Sequence, residues 1–206
     1  MTNCLFFGDS ITYGEYDGIL GGWVDNLKRY LHGKYYNENA QEVNAFNLGI
    51  GGENTQGLLL RMENEIKPRI SPDQNLIFLF YGANDLAIKN NQETVSLPQF
   101  ENNISEAIKT AKKYTNEVFL ISILPISSEI DGITVSSGKL RTNKRVIAYN
   151  NILKQVAELH NVEFLDMHSL ISQSVNEFIS KDGVHPNEKG YEIISENIKP
   201  ILEKYL

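Results

Sequence analysis

The sequence alternates five short apolar runs with longer segments in which apolar residues recur at helical spacing. The runs are rich in Val, Ile, Leu and Phe and comprise Cys4–Phe7, Val43–Leu48, Leu76–Tyr81, Val118–Ile123 and Val162–Leu165. Continuous apolar runs of this length are typical of strands that are buried on both faces. Because helices separate them, the runs predict an α/β fold with a five-stranded parallel sheet covered by helices on both sides.

The segments between the runs predict five helices. Their apolar stripes lie within residues 23–31, 58–66, 100–114, 146–159 and 187–205. Pro98 suits the start of the third helix, whereas Pro200 is expected to kink the last helix or to end one segment of it at Lys199. Two connections, 86–97 and 124–143, are longer than a crossover needs. Each is equally well interpreted as a binding element or as an insertion without a role.

Length and composition narrow the class of protein. A chain of 206 residues is expected to form a single domain over residues 1–206. Its formal net charge of −7 argues against nucleic acid as a partner, because phosphates attract concentrated basic surface. Neither a membrane-spanning run nor a signal-peptide pattern is present, so we expect a cytoplasmic protein. The only cysteine, Cys4, excludes an intramolecular disulfide and is interpreted as a small buried apolar residue.

Two loops predict a serine with an activating base. Ser10 follows the first run in "LFFGDSITYG", at the sheet edge where binding sites form. A serine hydroxyl needs a base within hydrogen-bond reach. His185 lies in "KDGVHPN", where Pro186 restricts its backbone. Asp182, three residues earlier, is placed to accept a hydrogen bond from Nδ1 and so to leave Nε2 free to take a proton. Alone, this spacing is also common in turns.

Two further strand ends offer hydrogen-bond donors for an oxyanion. Asn84 follows the third run, and Gly52 lies in the glycine-rich "NLGIGGEN" after the second. Together with the backbone N–H of Ser10, they are candidate donors to the tetrahedral intermediate of acyl transfer. Each is also explained as an ordinary turn residue. Their convergence with Ser10 and His185 at one sheet edge favours the catalytic interpretation, with Asp9 holding the serine loop through backbone hydrogen bonds.

A different class of function stays open from the residues alone. Asp9 and Asp85 both follow strand ends, as acidic residues do in phospho-acceptor signalling domains. The chain would then be a non-enzymatic switch, or a flavodoxin-like binding module without turnover. The switch leaves the Asp182–His185 loop and the glycines at 49–52 unexplained.

Four sequence blocks resemble those of the SGNH hydrolases, also called GDSL esterases and lipases. The blocks are "FFGDSIT" (6–12), "NLGIGGENT" (47–55), "YGANDLA" (81–87) and "DGVHPN" (182–187), in the order that the family shows. Two departures are Ile11, where many members have leucine, and Ala83, which replaces a common glycine. The resemblance implies a flavodoxin-like three-layer α/β/α fold and the hydrolysis of carboxylic esters.

The resemblance also implies roles for individual residues. Ser10 would be the nucleophile, His185 the base and Asp182 its partner. The oxyanion would be bound by the backbone N–H groups of Ser10 and Gly52 and by the side-chain amide of Asn84. A small-molecule ester is the expected substrate: a small acyl ester, an acetylated carbohydrate or a lysophospholipid. No cofactor and no metal are implied, and the sequence predicts no oligomeric state.

Overall fold

The computed structural model describes residues 1–206 and contains eight strands. They are β1 (Thr2–Gly8), β2 (Val43–Gly49), β3 (Gln74–Phe80), β4 (Ile88–Lys89), β5 (Gln92–Glu93), β6 (Glu117–Ile121), β7 (Lys139–Leu140) and β8 (Glu163–Leu165). The major sheet is parallel with strand order β2-β1-β3-β6-β8. Its five strands coincide with the five apolar runs to within two residues at each end, so the predicted sheet is confirmed.

Eight α-helices and a short 3₁₀ turn complete the fold. The α-helices are α1 (Ser10–Tyr13), α2 (Trp23–Glu38), α3 (Thr55–Ile66), α4 (Leu97–Ala111), α5 (Asn143–His160), α6 (Met167–Ser172), α7 (Val175–Phe178) and α8 (Glu188–Leu202). Side chains that precede the helices accept hydrogen bonds from their first turns, as Asn54 does for α3, Thr142 for α5 and Asn187 for α8. None of the helices is long and apolar enough to cross a membrane.

The sheet divides the core into two apolar layers, because successive side chains of a strand point to opposite faces. Cys4 and Phe6 face one layer with α2 and α8, whereas Leu5 and Phe7 face the other with α3, α4 and α5. This is the three-layer α/β/α arrangement. Cys4 is fully buried, as predicted, and burial raises the pKa of its thiol to about 12.

The last helix does not end at Lys199, which was one of the two outcomes expected of Pro200. α8 continues past Lys199 and includes Pro200 in its final turn before it ends at Leu202. Ile201 and Leu202 are both buried in the core layer beside α2. Burial of two such side chains stabilises the final turn by a few kcal/mol, enough to outweigh roughly 3 kcal/mol for a proline in a helix.

The two long connections form a second sheet that the sequence analysis did not predict. β4 and β5 come from the first connection and β7 from the second, in the antiparallel order β5-β4-β7. We call this three-stranded structure the minor sheet. An isolated bridge between Thr134 and Leu140 closes the second connection into a hairpin. The connections are therefore joined to each other at the carboxyl edge of the major sheet.

Candidate active site

Ser10 lies where β1 ends and the chain turns into the single helical turn of α1. Gly8 closes the strand, and a Cβ at this position would lie only 1.9 Å from the Thr12 hydroxyl. Asp9 is buried and accepts a hydrogen bond from the N–H of Ile11 at 2.9 Å, which fixes the turn. Ser10 is 7% exposed and opens into a cleft of about 530 Å³.

His185 and Asp182 meet Ser10 in this cleft. The Oγ of Ser10 lies 2.7 Å from Nε2 of His185, whose Nδ1 forms a short contact with Oδ2 of Asp182. The other carboxylate oxygen, Oδ1, accepts from the backbone N–H groups of Val184 and His185 at 2.9 and 3.0 Å and from the Ser180 hydroxyl at 2.8 Å. The aspartate thus fixes both its own loop and the orientation of the imidazole ring.

The hydrogen bonds to Asp182 keep it ionised. Burial by itself would raise the pKa of this carboxyl, but the bonds from the His185 ring and from two backbone N–H groups lower it below its ordinary value. An ionised carboxylate on Nδ1 favours the tautomer whose Nε2 can accept a proton. The side chain of Tyr16 packs edge-on against the His185 ring, with centroids 5.0 Å apart.

The predicted oxyanion donors line the same cleft. The backbone N–H groups of Ser10 and Gly52 donate to no other group of the protein. Gly52 has a left-handed φ of +77°, a conformation that glycine adopts without strain. The amide nitrogen of Asn84 donates to the Glu53 carbonyl at 3.1 Å and to Oδ2 of Asp9 at 3.3 Å.

A partly buried ion pair holds the Gly52 loop. The guanidinium of Arg61 contacts both carboxylate oxygens of Glu53 and donates to the Leu48 carbonyl at 2.6 Å. The hydroxyl of Tyr81 donates to the same carboxylate at 2.6 Å. Because Glu53 follows Gly52 directly, these contacts connect the second strand-end loop to β2, to α3 and to the residue that follows β3.

Two basic residues of the second long connection reach the site and were missed by the sequence analysis. Lys139 donates to Oδ1 of Asn84 at 2.7 Å, and Arg141 donates to the same oxygen at 3.3 Å and to the Ala83 carbonyl at 2.7 Å. Burial lowers the pKa of Lys139, and the neighbouring charges of Arg141 and Lys89 lower it further. No local motif marks these residues, because the pairing of β7 with β4 brings them to the cleft.

The acidic residues of the signalling hypothesis lie outside the cleft lining. Asp9 and Asp85 are 1% and 0% exposed. Asp85 accepts from the backbone N–H and the hydroxyl of Thr55 at 3.0 and 2.5 Å. Carboxylates enclosed in this way are inaccessible to a phosphoryl donor, so this alternative to the esterase hypothesis is wrong.

No group of three or more His, Cys, Asp and Glu side chains is arranged to hold a metal ion. A larger open depression of about 710 Å³ lies beside His168 and contains none of the predicted site residues.

Comparison with known proteins identifies the family. The GDSL-like lipase/acylhydrolase family matches residues 6–193. This chain belongs to that family. It is a carboxylic ester hydrolase, and the resemblance carried by the four sequence blocks is confirmed.

Two relatives and one solved structure show how far the likeness of this esterase extends. It is 29% identical to the human isoamyl acetate-hydrolyzing esterase 1 homolog, over 97% of this chain and 81% of that protein. It is 26% identical to the isoamyl acetate-hydrolyzing esterase of Saccharomyces cerevisiae, over 98% and 86%. A lipase/acylhydrolase structure from Enterococcus faecalis superposes with a TM-score of 0.79 at 24% identity, covering 99% of this chain and 96% of that one.

Proposed function

We propose that this esterase hydrolyses small acyl esters through an acyl-enzyme on Ser10. The observation that carries the proposal is the 2.7 Å contact between Ser10 Oγ and His185 Nε2, with Asp182 on the opposite ring nitrogen. Nucleophile, base and orienting acid in this order are the arrangement that activates a serine for acyl transfer. We further propose that residues 1–206 act as a single hydrolase domain.

The reaction follows from these positions. His185 Nε2 takes the Ser10 proton as Oγ bonds to the ester carbonyl carbon, and the carbonyl electron pair moves to oxygen. The N–H groups of Ser10 and Gly52 and the amide of Asn84 stabilise the resulting oxyanion. When the C–O bond to the alcohol breaks, the protonated imidazole returns the proton to the leaving oxygen. A water molecule then attacks the acyl-enzyme by the same steps and releases the acid.

Asn84 must adjust as the negative charge forms. Its amide hydrogens engage Glu53 and Asp9 at 3.1 and 3.3 Å, longer than the roughly 2.7–2.9 Å of charge-assisted hydrogen bonds. An oxyanion competes well for such hydrogens because it is a stronger acceptor than a carbonyl oxygen. The donor is thereby more effective toward the transition state than toward the neutral ester.

The lining of the cleft favours a short acyl group on a polar or small alcohol. Of the 15 lining residues only four are apolar, namely Tyr16, Ala83, Val135 and Val184. A long acyl chain needs extended apolar surface that this cleft lacks. The two relatives described above are named for the hydrolysis of an acetate ester. We therefore propose acetyl esters, with acetylated carbohydrates as the second substrate to test.

A fluorophosphonate probe tests the nucleophile. The wild-type esterase should take up one label on the peptide that contains Ser10, and Ser10→Ala should abolish both labelling and ester hydrolysis. Ser137→Ala is the matched control, because this serine lines the same cleft, and it should keep the label. A folded wild-type protein that takes up no label would overturn the acyl-enzyme.

A chain-length series tests the substrate. We expect kcat/KM to be highest for 4-nitrophenyl acetate and to fall by about tenfold or more toward the octanoate, since each methylene gains little without an apolar wall. Comparing kcat/KM for isoamyl acetate and for acetylated xylose then shows whether the enzyme prefers a small alcohol or a carbohydrate as the leaving group. A rise in kcat/KM toward the octanoate would show that long-chain lipids are the substrates.

A further inference from the structure

The amide of Asn84 lies between a negative and a positive environment. On its nitrogen side are Oδ2 of Asp9 and the Glu53 carbonyl. On its oxygen side are the ammonium of Lys139 and the guanidinium of Arg141. All the side-chain hydrogen bonds that these two cations make go to Ala83 and Asn84.

The nitrogen side orients the amide at a cost to oxyanion binding. Asp9 is 1% exposed, and burial raises its pKa to about 6, against the opposing effects of the Ile11 N–H and of the charge on Arg141. Above that pH the carboxylate is ionised. A negative charge beside the donor opposes a second negative charge in the oxyanion, and the carboxylate competes for the same amide hydrogen.

The oxygen side orients the amide without that cost. A cation on Oδ1 draws electron density from the amide and makes its N–H groups stronger donors. Lys139 makes the shorter contact, at 2.7 Å.

We propose that Lys139 is a positioning residue for ester hydrolysis, which holds and polarises the Asn84 amide so that it can bind the oxyanion. The inference rests on the proposed function, and in particular on Asn84 as an oxyanion donor. Lys139 acts through Asn84 rather than on the substrate, so its effect should be on kcat and should depend on the presence of the asparagine.

The minor sheet holds Lys139 in this place. The backbone carbonyl of Lys139 accepts a hydrogen bond from the N–H of Val135 at 3.0 Å, and the N–H of Gly132 donates to the Arg141 carbonyl at 2.9 Å. Lys89 of β4 is its direct partner across the strand pair. Two like charges directly opposite each other destabilise a pair of strands, so the Lys89–Lys139 pair costs the minor sheet a small amount of stability. Lys89 makes no hydrogen bond with Asn84, so it is a matched control.

A double-mutant cycle tests the proposal with 4-nitrophenyl acetate as substrate. Lys139→Met should lower kcat by about tenfold or more, below the roughly 10²–10³-fold expected for losing a whole oxyanion donor. KM should change much less. In an Asn84→Ala background the same substitution should alter kcat by no more than about twofold, because the group through which Lys139 acts is gone. Lys139→Arg should recover part of the loss, and Lys89→Met should retain wild-type kcat.

Each other outcome has a defined meaning. If Lys139→Met lowers kcat by the same factor with and without Asn84, or raises KM alone, the lysine does not act through the amide and the inference fails. If Asn84→Ala itself leaves kcat unchanged, the oxyanion assignment in the proposed function fails as well. Lys139→Gln, which keeps a polar donor without the charge, is measured beside the methionine variant. If it retains wild-type kcat, the charge is not required and polarisation is refuted.

Discussion

The two sides of the cleft differ in how far apart along the chain their contacting residues lie. On one side, which we call the motif side, Asp182 contacts His185 only three residues away, inside one tight loop. On the other, the minor-sheet side, Lys139 and Arg141 reach Asn84 across 55 and 57 positions. The first geometry is contained in a short sequence, whereas the second exists only after two-residue strands have paired.

This difference teaches where local sequence carries chemical information. A turn with Asp, Gly and Pro at set positions restricts the backbone strongly enough to aim two side chains at each other. Strands of two residues have no hydrophobic period to reveal them. On the motif side, single substitutions should therefore reduce activity strongly. On the minor-sheet side, the structure should depend on the contacts that hold its short strands in place.

The largest effect is expected from Asp182→Asn on the motif side. The asparagine Oδ1 can keep the backbone bonds, but an amide in place of Oδ2 presents hydrogens to His185 Nδ1 and favours the wrong tautomer. We expect kcat to fall on the order of 10⁴-fold, with a melting temperature close to that of the wild type. Ser180→Ala removes only a bond to the other oxygen and should keep most of the activity. A fall in kcat of less than about tenfold for Asp182→Asn would remove this aspartate from the mechanism.

A smaller effect, on the free energy of unfolding, is expected from a change at Asp85, which lies in the third sequence block and outside the lining of the cleft. Burial raises its pKa to about 6, although hydrogen bonds from Thr55 lower it. The native state therefore holds this proton more tightly than the unfolded chain. Its contribution to the free energy of unfolding is complete below pH about 4 and is lost as pH rises through about 6. A pKa difference of roughly 2 corresponds to up to about 3 kcal/mol.

Urea unfolding of wild type and Asp85→Asn from pH 4 to pH 7 measures this contribution. The wild-type free energy of unfolding should fall relative to the variant as pH rises. Taking the difference cancels the other groups that titrate in this window, such as His160 and His168, whose pKa values burial lowers. Glu101→Gln, an exposed carboxylate on α4, should give a curve parallel to that of the wild type. If the curves of wild type and Asp85→Asn are parallel, the Asp85 carboxyl has the same pKa in the native and the unfolded state, which contradicts the prediction.

The smallest effect is expected from Arg145→Met on the minor-sheet side. Arg145 donates to the Leu86 carbonyl at 2.6 Å, to Glu93 at 2.5 Å and to the Tyr149 hydroxyl at 3.1 Å, and so attaches the first long connection to α5. Its loss should lower the free energy of unfolding by about 1.5–3 kcal/mol, the range for hydrogen bonds to charged groups.

Hydrogen exchange should localise this loss. Amides in 86–95 and 132–141 should exchange faster in Arg145→Met, while those in 182–185 stay protected as in the wild type. Lys154→Met on the exposed side of the same helix is the control and should leave both regions unchanged. Equal acceleration on both sides of the cleft would show that the minor sheet and the motif side open together, and that the two sides are not independent.

The fold can be predicted from the sequence because the apolar runs and helical stripes that indicate it are long and recur along the chain. Each strand of the major sheet is an apolar run, and burial on both faces requires that composition. One expectation, that Pro200 ends a segment of the last helix at Lys199, is wrong because packing competes with the local signal. Pro200 disfavours a helix, but Ile201 and Leu202 extend α8 because their burial outweighs the missing hydrogen bond. The prediction of Ser10, Gly52, Asn84, Asp182 and His185 as site residues depended on strand ends and short motifs, and the structure places all five around one cleft.

The sequence by itself determined the order of strands and helices, the turn after β1 and the Asp182–His185 loop, since each depends on neighbours within a few residues. Only the tertiary structure decided that Lys139 and Arg141 face Asn84 rather than solvent. Their position depends on pairing between β4 and β7, which are about 50 residues apart and are stabilised by contacts to α5 rather than by their own propensity. Local restraints on the backbone are contained in short sequences, whereas the electrostatic surroundings of the Asn84 amide arise from residues that only the complete fold brings together.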